Sequence, residues 1–286
     1  MPVMVLDPNL CAGWEPETPV TDSLLRRFLL NWTMGLEAHG LPLGGRSLRR
    51  DDLAAVDVGR PTVGANVATL LAPLFPADVD EILAALDAFY AFSAGEPAGT
   101  VFLFSPWPTP DLRPYGWALL DHPPLMLRPA GGAVPPPPPG LRIEVVRDEE
   151  TLRAFEVAIV RGFIMPELEA QGPGAAFSAD ILTDDRQRLW VGWDEDRPVA
   201  AAASFVAAGI NDVTLVATVP EARRRGYGAA LTWRATLADP ALPSLLLATE
   251  EGRPVYEHMG YMSLFRFTLW SRDRPGPKSE RMDERG

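Results

Sequence analysis

Three arginines and two glycines, Arg223-Arg224-Arg225-Gly226-Tyr227-Gly228, stand where an apolar run ending at Val219-Pro220 gives way to an alanine-rich segment. That order builds an anion site. The first N–H groups of a helix have no internal partners and lie at the positive end of its dipole, which suits a phosphate or pyrophosphate. Glycines at 226 and 228 remove the side chains that would hold such a group off the backbone, and the arginines add charge beside it.

Spacing separates the kinds of phosphate loop. A P-loop needs a lysine after its second glycine, and the one lysine here is Lys278, far down the chain. The dinucleotide fingerprint needs a third glycine where Leu231 stands, which disfavours a dinucleotide oxidoreductase. What remains is R-x-x-G-x-G after a strand. It resembles the pyrophosphate signature of the GNAT superfamily of acyl-CoA-dependent N-acetyltransferases. A second run supports the likeness. Ser244 to Thr249 reads as a short strand, and Tyr256-Glu257-His258-Met259-Gly260-Tyr261 is similar to the family's YE-x-x-GF-like signature, with Tyr261 where phenylalanine is usual. The resemblance covers about Leu141 to Trp270.

The resemblance implies the chemistry. An acyl-CoA-dependent N-acyltransferase would use acetyl-CoA as cosubstrate and no metal, a primary amine attacking the thioester directly. Backbone groups of Ala217, Thr218 and Val219 would meet the pantetheine. N–H groups from Arg224, Arg225, Gly226, Tyr227, Gly228 and Ala229 would cradle the pyrophosphate, and Tyr256 would protonate the departing thiolate. Asp212, Glu250, Glu251 and a water chain are open as the general base, each carboxylate reading first as a solvated surface group. Arg223 reads as a structural ion-pair partner before a phosphate ligand. Transfer of a different acyl group, or non-catalytic acyl-CoA binding, is the alternative. The acceptor, a small-molecule amine or a protein amino group, has no portable motif.

Elements that would position these residues follow from periodicity. Leu141 to Val146 alternates like a first strand, and Asp148 precedes a helix with Leu152, Phe155, Ile159 and Phe163 on one face. Residues 188–194, 197–206 and 211–219 read as three strands, with a turn at Asp194-Glu195-Asp196. A last strand runs from Tyr261 to Trp270. The expected fold class is α/β, two tandem GNAT-like lobes, each a mixed, mostly antiparallel sheet flanked by helices.

The second lobe is announced by a repeat. Val101 to Trp117 lies over Leu245 to Tyr261 without a gap, matching Pro110 to Pro254, Gly116 to Gly260 and Trp117 to Tyr261. Pro76 then falls on Pro220, ahead of an amphipathic helix from Ala77 to Phe92. Its counterparts to Arg223, Gly226 and Gly228 are Val79, Ile82 and Ala84, and Leu112 replaces Tyr256. Residues 1–130 are therefore expected to form a degenerate lobe, 131–140 a stiff Gly/Pro-rich strut between lobes, 141–270 the acetyltransferase domain and 271–286 a disordered tail. Leu41 to Gly64 reads as loop. Trp14, Trp32, Trp107 and Trp117 are core residues first and walls of an acceptor pocket second.

Composition sets the limits. Lys+Arg 26 against Asp+Glu 38 gives a net charge of −12, which disfavours nucleic acid and leans toward a cationic acceptor. No apolar run is long enough to span a membrane, and one cysteine, Cys11, fits a reducing cytoplasm. His39, His122 and His258 are scattered, without metal-ligand spacing. A homodimer is compatible with the resemblance, though nothing specifies an interface.

Overall fold

The computed structural model describes residues 22–64, 66–91 and 99–274; Cys11, Trp14 and the tail after Arg274 lie outside them. Among the described residues the order begins with α1 (Asp22–Gly40), β1 (Arg46–Arg49), β2 (Leu53–Asp57), β3 (Val67–Leu70), α2 (Val79–Tyr90), β4 (Thr100–Ser105), β5 (Ala118–Asp121) and β6 (Pro124–Arg128). It continues with β7 (Leu141–Val145), α3 (Glu149–Gly162), α4 (Pro166–Gln171), β8 (Gln187–Asp194), β9 (Arg197–Ala207) and β10 (Ile210–Thr218). The last elements are α5 (Tyr227–Thr236), β11 (Ser244–Leu247), α6 (Arg253–His258), β12 (Met262–Arg266) and β13 (Thr268–Asp273).

Two compact units result, and they cut the chain differently from lobes at 1–130 and 141–270. The larger holds Met1–Ala38 with Pro124–Phe265, the smaller His39–Pro123 with Arg266–Gly286. Strand exchange is the reason. In the larger unit the sheet runs β7-β8-β9-β10-β11-β6-β12, and in the smaller β1-β2-β3-β4-β13-β5. Each sheet thus takes its next-to-last strand from the other half of the sequence. β6 pairs antiparallel with β11 through Leu125↔Leu247 to Arg128↔Ser244, and β13 with β4 through Thr268↔Ser105 to Asp273↔Thr100. The repeat survives the exchange: Ala118 and Pro124, where β5 and β6 start, stand 144 residues before Met262 and Thr268, where β12 and β13 start. In both sheets one parallel pair, β3–β4 or β10–β11, sits among antiparallel neighbours.

Three further expectations change. Ser271 to Asp273, read as the head of a disordered tail, complete β13, whose outer partner is β5. The stretch from Leu41 to Gly64 holds β1 and the fully buried β2; its Leu53-Ala54-Ala55-Val56 run lacks the polar alternation that marks a half-buried strand. The Gly/Pro-rich strut does not space lobes, because the strands it joins, β6 and β7, belong to one sheet. It crosses that sheet from the C-terminal end of α5, where Gly131 N–H reaches Pro240 O at 2.8 Å, to its N-terminal end, where Pro138 lies by Gly226. Five inter-strand gaps span roughly 24 Å, within the reach of a polyproline chain at ~3 Å per residue.

Burial follows the expected periodicities. In the smaller unit Val79, Ile82, Leu83, Leu86 and Tyr90 of α2 close over Leu53, Ala55, Ala68, Leu70, Leu103 and Trp270. In the larger, Tyr227, Leu231 and Ala235 of α5 cover Val199, Ala202 and Val213. The opposite face is covered by α3, capped by Asp148 accepting from Thr151 N–H at 2.9 Å, and by α1. Buried Asn31 of α1 donates to Phe205 O and Ala207 O, both at 3.0 Å, and Gly35 lets the Phe205 ring approach. The N-terminal segment thus contributes a helix to the larger unit. Trp117 is buried, Trp32 and Trp107 half-buried.

Candidate functional site

The site starts from a fault in a strand. β10 runs in register with β9 to Thr214, then slips by one residue before Ala217, and Leu215 takes φ +51. Such a bulge leaves a residue unpaired and bends the strand. On its other edge β10 pairs with β11 only at Asn211 and Asp212. Beyond them the strands part, and the second half of β10 presents an open edge.

Hydrogen-bond alternation decides which residues face that opening. Val219 N–H donates to Val199 O and its carbonyl accepts from Ala222 N–H, both at 2.9 Å. Both backbone groups of Val219 are therefore spent within the chain, which removes it from the expected pantetheine set. In an antiparallel ladder the residue two positions earlier turns the same way, so Ala217 also faces β9. Thr218, between them, turns its N–H to the open edge; its carbonyl accepts from Arg223 Nε at 3.2 Å.

After Val219 a tight turn leads into α5. Arg224 has φ +65 and Gly226, the N-cap, φ +80, without a capping side chain. Ala230 N–H, bonded to Gly226 O at 3.0 Å, is the first in the helix to find a carbonyl. The N–H groups of Tyr227, Gly228 and Ala229 therefore point out of the helix start. A Cβ at Gly226 would stand 3.3 Å from Pro138, besides the left-handed backbone; one at Gly228 would stand 3.0 Å from Thr218 Oγ1. Gly228 is thus also needed for packing of α5 on β10.

The three arginines divide their work. Arg223 donates through Nη2 to Gly162 O at 3.0 Å as well as to Thr218, tying the turn to the end of α3, so it acts as a clamp. Arg225 pairs with Asp194 at 2.9 Å and lies over the Tyr227 ring. Arg224 is exposed, and its guanidinium has no partner among the described residues. A cavity of about 170 Å³ beside the turn, lined by Arg161, Asp194, Arg197, Glu221 and Arg225, is neutralised from within: Arg161 pairs with Glu221 at 2.6 Å. The open face of the turn lies with Arg224 and the helix N–H groups instead.

Tyr256, on α6, is half-buried against the same core as Val216 of the bulge. Its ring meets Tyr261 edge-on, centroids 6.0 Å apart, and Gly252 leaves it room. Burial pushes its hydroxyl up to about 12, so the phenol keeps its proton at neutral pH. Tyr261 is anchored instead, its hydroxyl 2.7 Å from Thr236 Oγ1. Of the three open carboxylates, Glu250 and Glu251 are exposed, and Glu250 pairs with Arg253 at 3.0 Å. Asp212 differs. It is 4% exposed, its Oδ1 has no hydrogen-bond partner among the described residues, and burial pushes it well above the carboxylate range. Paired opposite Phe205, it lies on the face of the sheet that α1 and α3 cover, as do Thr214 and Ala217. Gly162 belongs to this site although no motif marked it: a Cβ there would come within 2.7 Å of Ala217 Cβ and 3.2 Å of Thr218 N.

Among the described residues no three His, Cys, Asp or Glu side chains gather as a metal site, and no helix is long and apolar enough to cross a membrane. No protein-family model matches the sequence, and no curated protein matches it. Solved structures do match in fold. A GCN5-related N-acetyltransferase from Kribbella flavida aligns with TM-score 0.60 at 19% identity, over 86% of this chain and 94% of its own. A GCN5-related N-acetyltransferase-like protein from Streptococcus suis aligns with TM-score 0.53 at 15% identity, over 80% and 88%. One described as a putative acetyltransferase of the GNAT family, from Novosphingobium aromaticivorans, gives 0.51 at 19%, over 82% and 97%.

Proposed function

From the premise that this chain has the GCN5-related N-acetyltransferase fold, we propose that it is an acyl-CoA-dependent N-acyltransferase, moving an acetyl group from acetyl-CoA to a primary amine. The observation that carries the reading is the bulge and parting of β10 leading directly into a turn with Gly226 at φ +80 and Arg224 unpaired among the described residues. A diphosphate fits that turn: the helix N–H groups face outward, glycine leaves the backbone bare, and a guanidinium stands unpaired.

Bound acetyl-CoA would supply an activated thioester carbonyl. The remaining work falls to this chain. N–H groups of Tyr227, Gly228 and Ala229, with Arg224, would hold the diphosphate, and Thr218 N–H would align the pantetheine along the open edge. Asp212, buried and raised by that burial, would accept the proton of the attacking amine. Tyr256 would donate its retained proton to the sulfur. The acceptor is a small molecule or a protein amino group, in a protein that works in the cytoplasm and uses no metal. Nothing in the larger unit favours a non-catalytic reading, since neither glycine nor Tyr256 is replaced.

The test is direct. Purified protein, acetyl-CoA and a panel of primary amines are incubated, and products are read by mass spectrometry with thiol release in parallel. Amines heavier by one acetyl group, formed by wild type and not by Asp212→Asn, support the reading. Binding of acetyl-CoA without transfer to any amine, or from any other short acyl-CoA, would leave the non-catalytic alternative standing.

A further inference from the structure

The short helix α6 closes in a Schellman motif whose two ends are Tyr256 and Tyr261. Gly260, at φ +87, donates its N–H to Glu257 O, and Tyr261 N–H reaches Tyr256 O, both at 3.0 Å. That motif brings the side chains of its outer pair together, and here the two rings meet edge-on at an interplanar angle of 62°. On the helix side the Tyr256 ring stands against bare backbone: a Cβ on Gly252 would lie 3.1 Å from its Cε2. The Tyr256 hydroxyl has no hydrogen-bond partner among the described residues, and burial alone shifts it. Its aim is therefore set by whatever holds the ring.

Tyr261 is held from the other end. It is buried, and its hydroxyl lies 2.7 Å from Thr236 Oγ1 in the last turn of α5, the partner that a buried phenol needs. Thr236 O accepts from Ser244 Oγ at 2.6 Å. Asn211 Nδ2 donates to Ser244 Oγ at 3.0 Å and to Ala235 O at 2.7 Å. Asn211 and Ser244 oppose each other where β10 and β11 pair, and the next residue of β10 is Asp212. One buried chain of hydrogen bonds thus runs from the ring beside Tyr256, through the C-terminal end of α5, to the strand that carries Asp212. The smaller unit offers the contrast. Leu112 stands there for Tyr256, and Trp117, in the place of Tyr261, is buried with its Nε1 lacking a hydrogen-bond partner among the described residues. The tether occurs in the unit that has a phenol to aim.

We propose that Tyr261 is a positioning residue: its hydroxyl tether to Thr236 fixes the Tyr256 ring, and so points the Tyr256 phenol at the departing sulfur. This rests on the acyl-transfer reading, in which Tyr256 is the acid. Phenylalanine at 261 keeps the ring contact and loses the tether. The phenol is then misplaced in part of the population, and misplacement of a reacting group lowers the rate of the chemical step rather than the affinity for the donor.

The experiment measures kcat, KM for acetyl-CoA, CoA affinity and Tm, with the best acceptor among 2-phenylethylamine, ethanolamine, putrescine and a short peptide with a free N-terminus. Wild type, Tyr261→Phe, Thr236→Val, Tyr256→Phe and the double variant Tyr256→Phe/Tyr261→Phe are compared. The expected result is a kcat about fivefold lower in Tyr261→Phe and in Thr236→Val, and no further fall, to within about 1.5-fold, when Tyr261→Phe is added to Tyr256→Phe. KM for acetyl-CoA and CoA affinity stay unchanged in every variant. A ring that only filled the core would lower Tm, and would lower kcat by the same factor with or without the Tyr256 hydroxyl. Equal losses of kcat in the two backgrounds, or full kcat in both Tyr261→Phe and Thr236→Val, overturn the assignment and leave acyl transfer standing. If CoA binds but none of the amines is acetylated, the assignment falls together with the transfer reading.

Discussion

At the start of α5 stand Gly226, at φ +80, and Arg224, without a partner among the described residues; at the matching start of α2 stand Val79 and Ile82, 2% and 3% exposed. The helices sit on equivalent strands, and the smaller sheet repeats the order of the larger one without β7, so strand order does not separate them. Side chains do. In the smaller unit the first turn is part of the core, with Asp80 and Glu81 beside it, and anions are repelled rather than held. β3 stays in register with β2, whereas β10 slips against β9 and opens. Leu112, fully buried, fills the place that Tyr256 holds. Yet both units keep the left-handed glycine before the last strands, Gly116 at φ +79 and Gly260 at φ +87, and a buried aromatic after it, Trp117 or Tyr261. What is common to the two units is folding; what differs is the site. The same helix start is filled as core or left open according to whether apolar side chains or glycines occupy it.

The strongest way to break this contrast is through Asp212, which the smaller unit lacks in kind: Ala68 stands at the matching place. Asp212→Asn is expected to lower amine-dependent kcat/KM by ~10³, leaving CoA affinity unchanged. Because its folded pKa is raised, the wild-type rate rises with pH through a limb above the ordinary carboxylate range, and that limb disappears in the variant. A retained limb assigns the base elsewhere.

Exchanging the helix-start residues sharpens the contrast. Ile82→Gly empties part of a packed core and weakens a helix, costing about 3–5 kcal/mol of stability, with no change in CoA affinity. Gly226→Ala should cost only about 1–2 kcal/mol for its left-handed backbone and its contact with Pro138, yet weaken CoA ~10-fold. Chemical unfolding and calorimetry on both proteins separate the effects; a loss of CoA affinity in Ile82→Gly would undo the division of labour. Next comes Tyr256→Phe, expected to lower kcat by ~10² with CoA binding intact, the penalty shrinking for donors with better leaving groups.

Smallest is a pH effect confined to the smaller unit. Burial lowers His39 from 6.5 to about 4, its ring nitrogen 2.9 Å from Val63 O. The unfolded chain binds a proton there before the folded one does, so stability is full above 6.5 and lost as pH falls toward 4. For a half-buried ring the loss is on the order of 1–2 kcal/mol, and His39→Asn should flatten it in melting curves taken across that window.

Much of this was legible in the residues, and what was hidden shares one cause. The anion turn announces itself because a glycine at φ +80 leaves a letter in the sequence. The offset of the repeat likewise shows in Gly116 and Gly260. Strand exchange leaves none: Tyr261 to Trp270 reads as one last strand, whereas the chain divides at Phe267 between β12 and β13 in different sheets, and an apolar face does not say which sheet a strand joins. α1 was hidden for the same reason. Val219 entered the pantetheine set through the resemblance, which does not say which backbone groups the chain itself consumes beyond a bulge. Phe163 kept helical phase while the helix ended one residue earlier, and an isoleucine at φ +56 gives no turn signal at all. Asp212 was one carboxylate among three until burial set it apart.

The central claim is that one unit binds acyl-CoA and the other does not. Titration calorimetry of CoA into wild type and Arg224→Glu tests it most directly, since Arg224 is exposed and unpaired among the described residues and its replacement spares the fold. One CoA per chain is expected, its binding lost or greatly weakened in the variant at unchanged Tm. No binding to the folded wild type, two CoA per chain, or equal affinity in Arg224→Glu would contradict it.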